Sequence, residues 1–399
     1  MKILFLSNKV PYPPKDGGSI ASFGLMKAFA DTGHQVSVLA MNTNKHYVNT
    51  SEIPDEIKAA ISFHMLDVPA YIKTFDLLKN LFFSKLPYNA ERFIDRNYQV
   101  KLQQILTSES FDIIQLEGLY LCPYIATIRK YSSAKIAYRA HNIEYEIWQR
   151  TILQSQGIRK IYLKILTHRL KKFEASAINQ YDFLIPITNR DRDILNQMGN
   201  TKPTLTISAG FDTEEVRSVY SNFSMNLFFI GALDWSPNQE GLIWFIEKCW
   251  PLILKAQPTT QLKIAGRNAP EWMEDKFKVK NVTYLGEIEN AQKFISQNGI
   301  MIAPVLSGSG MRVKIIEGML HQKTIVTTSI GCEGINVKNE EHLFIADNYS
   351  DFSNYIIALL ANRPKVIETG IKAFNFVKEE YDNRYLIKKL AAFYKQFTL

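Results

Sequence analysis

The sequence predicts an α/β chain built from two successive parallel-sheet domains. Three observations carry this prediction. Short apolar runs alternate with helical stretches from the first residues onward; the alternation breaks near residue 207 and then starts again; and 399 residues are more than one hydrophobic core usually organises.

Residues 2–7 (KILFLS) form an apolar run that fits a buried strand. The loop VPYPPKDGG leads into a helix expected over about residues 19–31; Gly33 stops it and a strand follows at 35–40, completing a βαβ opening. Strand-like runs at 111–116, 135–139 and 183–187 alternate with helical stretches, so a parallel sheet is expected. The first loop lacks G-x-G-x-x-G, which disfavours a nicotinamide site. Gly17 and Gly18 still stand at a helix N-terminus, where they either receive a phosphate or only shape a Pro-rich turn.

The pattern restarts after residues 207–212 (ISAGFD), with strand-like runs at 227–230, 261–265, 283–285, 299–303 and 324–327. Helices are expected at about 239–254 and 291–297. The domains are therefore placed at 1–207 and 208–383, with the final helix, within 384–399, expected to pack back onto the first domain. No low-complexity segment or repeat of 20–50 residues interrupts this plan.

Composition narrows the function. The three cysteines, Cys122, Cys249 and Cys332, are widely spaced with no C-x-x-C pair, which supports neither a disulfide framework nor a cysteine zinc site and fits a reducing cytoplasm. No stretch approaches about 18 uncharged apolar residues and no cleavage-like leader is present, so a cytoplasmic protein, soluble or peripheral at the inner membrane face, is expected. The first 205 residues hold 26 Lys+Arg against 18 Asp+Glu, while the remainder is balanced. Much of the excess lies in Arg159, Lys160, Lys164, Arg169, Lys171 and Lys172, interleaved with Ile161, Tyr162, Leu163, Ile165, Leu166 and Leu170. Such a run either lies on an anionic membrane surface or is simply a solvated helix face. No nucleic-acid-binding motif accompanies the charge, and nucleic acid is not expected as a partner.

The richest segment is 301–334, MIAPVLSGSGMRVKIIEGMLHQKTIVTTSIGCEG, in which a Gly-Ser-Gly turn opens a helix held between two apolar strands. At about 100° per residue, Gly310, Lys314, Glu317 and His321 share a polar stripe, with Ile315, Ile316 and Met319 roughly opposite. Backbone N–H groups around Ser309, Gly310 and Met311 would lack intrahelical partners and suit an anion. Lys314 is placed to neutralise a diphosphate, and Glu317, an acceptor when ionised, to bind vicinal hydroxyls. Arg312 points toward the apolar stripe in an ideal helix and reaches the same ligand only from a loop or an irregular first turn. Alternatively, this is an ordinary α/β helix with a Gly-rich start and a solvated Lys314/Glu317 pair.

The run Gly308-Ser309-Gly310-Met311-Arg312-Val313-Lys314-Ile315-Ile316-Glu317-Gly318-Met319 resembles the G-S-G-x-R-x-K-x-x-E-x-M motif of family 4 type glycosyltransferases. Gly231 in FIGALDWSPN, the Ala265-Gly266-Arg267 strand end, Leu285-Gly286, the Gly210-Phe211-Asp212 junction and Gly17-Gly18 follow in the order that family uses. The resemblance implies a GT-B fold, two Rossmann-like parallel-sheet domains facing a central cleft. It also implies a nucleoside-diphosphate sugar bound mainly by the second domain, a glycan or lipid-linked acceptor mainly on the first, and a retaining transfer with no obligatory metal or other cofactor. In it, Glu317 corresponds to the glutamate that holds donor hydroxyls, Arg312 and Lys314 to cations near the diphosphate, and Ser309 and Gly310 to amide donors. Two departures stand out. Ser309 occupies the position where the wider family often has another Glu, and residues 232–238 lack the family's basic pair.

Cleaving a sugar–phosphate bond leaves negative charge on the diphosphate, which preorganised cations stabilise. Lys314 and then Arg312 are assigned that role. His141 ends an apolar strand run and is expected to open toward the ligand; a histidine near here approaches the sugar in the resembling family. The alternative is a histidine bonded to loop backbone. Glu117, after FDIIQL, either orients an acceptor hydroxyl or has a local structural role. The expected function is a glycosyltransferase of surface polysaccharide or glycolipid synthesis; a GT-B nucleotide-sugar epimerase and a noncatalytic donor-binding subunit are the alternatives.

Overall fold

Two six-stranded, all-parallel sheets organise the chain, one in each of two units. The first unit comprises Met1–Phe211 and Asn383–Leu399, the second Asp212–Asp382. The computed structural model describes residues 1–14, 16–71, 73–153, 155–213, 223–308 and 310–398.

The first sheet contains β1 (Lys2–Ser7), β2 (Gln35–Asn42), β3 (Ile61–Asp67), β4 (Ile113–Glu117), β5 (Lys135–Ala140) and β6 (Phe183–Pro186), in the order β3-β2-β1-β4-β5-β6. The second contains β7 (Ser224–Ile230), β8 (Leu262–Ala265), β9 (Val282–Tyr284), β10 (Asn298–Ala303), β11 (Thr324–Thr327) and β12 (Phe344–Ile345), in the order β12-β11-β10-β7-β8-β9. Read from the opposite edge, the second order repeats the first. Each sheet therefore reverses direction once, between β1 and β4 and between β7 and β10.

Strands buried on both faces explain the continuous apolar runs in the sequence. In β1, Leu4 and Leu6 face one core layer while Ile3 and Phe5 face the other, following the two-residue period of a strand. The second unit packs Leu227, Phe229, Ile264, Ile300, Ile302 and Val326 around Phe245, Trp250 and Phe352. The helix Asn383–Thr398 returns to the first unit, placing Leu386, Ile387, Leu390 and Tyr394 among Phe5, Phe23 and Phe29.

Both sheets carry an edge strand that the sequence pattern does not reveal. β3 (ISFHMLD) follows the helix Asp55–Ala60 with no intervening breaker and is mostly half-buried, and β12 has two residues. No helix among the described residues is long and apolar enough to cross a membrane.

Candidate functional site

In the second unit the sheet reverses between β7 and β10, the place where loops leaving two neighbouring strands diverge to opposite faces and leave room for a ligand. The loop after β7 leads into the helix Ser236–Trp244, and the loop after β10 into the helix Val313–Leu320. The two are locked together. A Cβ on Gly241 would lie 1.5 Å from the Pro304 carbonyl oxygen, so only glycine allows the first helix so close to the second loop. Glu240 accepts hydrogen bonds from Ser236 Oγ at 2.8 Å and from Ser307 Oγ at 2.7 Å.

The second helix opens later than its sequence suggests. Gly308 and Gly310 have φ of +98° and +82°, outside the right-handed helical region, and the first helical residue is Val313. Gly310 and Met311 thus belong to the loop, where the Met311 carbonyl accepts from Val313 N–H at 3.1 Å. Ser309 lies outside the described residues. Arg312 is the non-helical cap residue (φ −85°, ψ 83°), so it meets the loop condition that sequence periodicity set for it. Its guanidinium is buried. It donates to the carbonyl oxygens of Gly310 and, at 3.4 Å, Ser307, and lies 5.6 Å from the Trp235 ring centroid. Arg312 therefore braces the glycine loop while holding its positive charge beside it.

Lys314 sits in the first turn. Its Nζ donates to Asn238 Oδ1 at 2.7 Å and lies 4.4 Å from the Phe229 ring centroid. Asn238 is fixed by its own donation to the Ala232 carbonyl at 2.8 Å. Gly231 leaves space for it, since a Cβ there would approach Asn238 Nδ2 to 3.1 Å. Burial, reinforced by the nearby Arg312 charge, pushes the Lys314 amine down to about 7. A dianionic ligand would reverse that effect. Glu317, one turn on, has its carboxyl pushed up by burial, and no ion pair or side-chain hydrogen bond engages it among the described residues. His321, the last member of the stripe, is lowered to about 4 by burial and by Lys323.

The first unit carries the remaining candidates. β4 ends in Glu117 and β5 leads directly into His141, placing the two side chains on adjacent strand ends. His141 Nε2 lies 2.8 Å from Glu117 Oε2, the oxygen that also accepts from Ser22 Oγ at 2.6 Å. Burial alone would raise the Glu117 carboxyl, but the hydrogen bond and charge of His141, with Arg139 and Ser22, hold it at about 2. An ionised Glu117 can only accept, so His141 Nε2 is the donor, and in the neutral ring Nδ1 is left as the acceptor. Gln115 donates to the other Glu117 oxygen and accepts from Tyr394 of the last helix at 2.7 Å. The Gly17-Gly18 pair starts the helix Gly17–Asp31, but its N-terminus already has an anion. Asp16 accepts from Ser19 N–H at 2.9 Å and from Lys9 Nζ at 2.5 Å.

The candidates therefore fall into two groups: Gly231, Gly308, Gly310, Met311, Arg312, Lys314 and Glu317 in the second unit, and Gly17, Gly18 and His141 in the first. Sequence reasoning missed Asn238 and Trp235, which touch Lys314 and Arg312. Among the described residues, no group of three or more His, Cys, Asp or Glu is placed to hold a metal ion.

Residues 224–362 match the family model for Glycosyl transferases group 1, which covers β7 through β12. An uncharacterized 44.6 kDa protein of the cps region of Klebsiella pneumoniae is 25% identical over 396 residues, covering 96% of this chain and 97% of that protein. HepE from Anabaena, solved with UDP, superposes with a TM-score of 0.68 at 15% identity over 100% of both chains. Sucrose-phosphate synthase from Thermosynechococcus elongatus gives a TM-score of 0.72 at 15% identity, with 99% of each chain covered. TarM gives 0.72 at 14% identity, again with 99% of each chain covered. The structural likenesses establish the GT-B fold, and the family match is confined to residues 224–362 in the second unit.

Proposed function

We propose that this chain is a retaining, metal-independent glycosyltransferase of family 4 type. It would move a sugar from a nucleoside-diphosphate sugar to a glycan or lipid-linked acceptor in the synthesis of a surface polysaccharide or glycolipid. The observation that carries this reading is Lys314: a lysine amine aimed by Asn238 at the sheet reversal, beside the glycine loop and Arg312, with no carboxylate paired to it among the described residues. A site that pushes its own cation toward neutrality gains most from a ligand that restores the charge, as a diphosphate does.

In this reading the second unit binds the donor. Lys314 and Arg312 stabilise the charge that develops on the departing diphosphate. Amides of Gly310 and Met311 face the phosphates or the sugar, and the unengaged Glu317 carboxylate takes a pair of donor hydroxyls. Gly231 and Gly308 keep side chains out of the approach. The first unit serves the acceptor, and His141, aligned by Glu117, presents Nδ1 to a hydroxyl of the reacting sugars. Gly17 and Gly18 border that side. UDP is the favoured donor nucleotide because HepE has been solved with UDP and UDP-glucose. The Klebsiella relative's cps-region origin supports a capsule-type polysaccharide as the setting.

A cytoplasmic protein peripheral to the inner membrane face fits the surface of the first unit. Helix Gly157–Ala177 exposes Ile158, Ile161 and Ile165 beside Arg159 and Lys164. Helix Thr74–Phe83 exposes Phe75, Phe82 and Phe83 beside Lys79, and Arg169 ties the two helices by donating to the Leu81 carbonyl at 2.7 Å. Exposed aromatics flanked by lysines suit an anionic lipid interface.

The test is turnover of a panel of UDP-, GDP-, ADP- and dTDP-sugars with glycan and lipid-linked acceptors in excess EDTA, followed by NMR of the product. Transfer with the donor's anomeric configuration kept is expected. An epimerised donor without a coupled product would point to a nucleotide-sugar epimerase, and no consumption of any donor to a noncatalytic donor-binding subunit; an inverted product or full EDTA sensitivity would contradict the mechanism.

A further inference from the structure

The first unit contains a concavity that none of the assigned roles uses. It opens where β1 and β2 end and has a volume of about 270 Å³. Its wall includes Lys9, Thr43, Lys45, His46, Arg92 and Phe93, four of them basic, and no lining residue is acidic.

These charges are not equivalent. Lys9 is matched by Asp16 at 2.5 Å, and the same carboxylate is close enough to His46 to feel its charge. Lys45 is exposed and has no carboxylate within ion-pair distance among the described residues. Arg92 is half-buried against the Phe93 ring, 4.6 Å from its centroid, and forms no ion pair among the described residues. Its Nε is buried without a hydrogen-bond partner. A guanidinium taken out of water without a counterion is costly unless a ligand supplies one. Arginine's planar fork matches phosphate oxygens two at a time. The volume lies just below that of a drug-sized pocket, roughly 300 Å³ and up, so it suits one charged group of a larger ligand.

We propose that this cavity binds a phosphate or diphosphate ester carried by the acceptor, with Arg92 as the principal contact and Lys45 as a flexible second cation. The inference rests on the glycosyltransferase reading and names its acceptor class: an anionic, phosphate-bearing one. Either a prenyl diphosphate-linked saccharide or a phosphorylated glycan supplies that chemistry.

Calorimetry on the full chain tests this, with saturating UDP present so that phosphate probes do not report the Lys314 site. The probes are geranyl diphosphate and N-acetylglucosamine 1-phosphate, with geraniol and N-acetylglucosamine as uncharged controls. At least one anionic probe is expected to bind and its control not to; the better of the two identifies the source. Arg92→Ala should weaken that binding about tenfold to a hundredfold, the loss expected for a charge-assisted hydrogen bond. Arg92→Lys should recover part of it, and the exposed Lys45→Ala, which leaves the core untouched, should weaken it about threefold. Binding of neither anion, equal binding by Arg92→Ala, or equal binding of the uncharged controls would overturn the proposal. Failure of the underlying reading is separable: if UDP itself does not bind, the probes are titrated into Lys314→Ala, where the cavity is tested alone.

Discussion

Lys314 and Asn238, 76 residues apart in sequence, meet at 2.7 Å where β7 and β10 lie side by side. The contact joins the two helices that diverge from the sheet reversal and aims a desolvated amine beside a glycine loop. Replacing Lys314 by Ala should lower sugar transfer by about 10² to 10³, the range for losing one preorganised donor at a developing oxyanion. Thermal unfolding should change little, because the wild-type side chain is held against its own preference for water. Steady-state kinetics beside a melting curve would separate the two effects.

Donor binding should take up a proton. In the free protein burial and Arg312 hold the Lys314 amine at about 7, and a diphosphate stabilises its charged form. Between about pH 7 and 9 the uptake should approach one proton per donor, and affinity should fall as pH rises through that window. Calorimetry in buffers of differing ionisation enthalpy measures it directly. Uptake near zero at pH 8 would remove Lys314 from the phosphate contact.

Asn238 is a positioning residue whose effect can be told from a structural one. Asn238→Asp keeps an acceptor for Lys314 and adds a negative charge, so the amine's pKa should rise and the alkaline limb of kcat/KM should move up. Asn238→Ala, which removes the acceptor, should lower kcat/KM by roughly tenfold to a hundredfold. A purely structural asparagine would alter stability in both variants and leave the pH profile where it was.

Glu117 links the first unit's stability to acid. Its folded carboxyl sits at about 2 against an ordinary 4.5, so its contribution is fully present above the ordinary value and is lost as pH falls toward 2. The difference amounts to about 3 kcal/mol. Glu117→Gln should flatten the pH dependence of unfolding between about 2 and 4.5 and lower stability at neutral pH, since it leaves the fully buried Arg139 without its carboxylate, 3.9 Å away in the wild type. Denaturant titrations at several pH values would show both effects.

The fold was legible because strands buried on both faces leave long apolar runs, and helices between them leave a different period. β3 escaped because its half-buried edge mixes Ser, His and Asp with apolar residues, and β12 because two residues carry no period. The glycine-rich motif was legible as a turn opening a helix between two strands, but its geometry was not. Positive φ at Gly308 and Gly310 delays the helix to Val313, and only the folded loop shows Arg312 bound to the carbonyls of Gly310 and Ser307. Asn238 could not be read at all, since its role depends on two loops that sequence spacing does not bring together. The Glu117–His141 contact was half visible: both residues sit at strand ends, and the pairing of β4 with β5 makes them neighbours.

The central claim is that the sheet reversal of the second unit binds a nucleoside diphosphate sugar through Lys314. Calorimetric titration of UDP-glucose into wild type, Lys314→Ala and Glu317→Ala tests it most directly. Measurable wild-type binding, at least about tenfold weaker in Lys314→Ala and weakened in Glu317→Ala with the fold intact, is the expected result. Equal affinity in all three proteins would contradict the assignment.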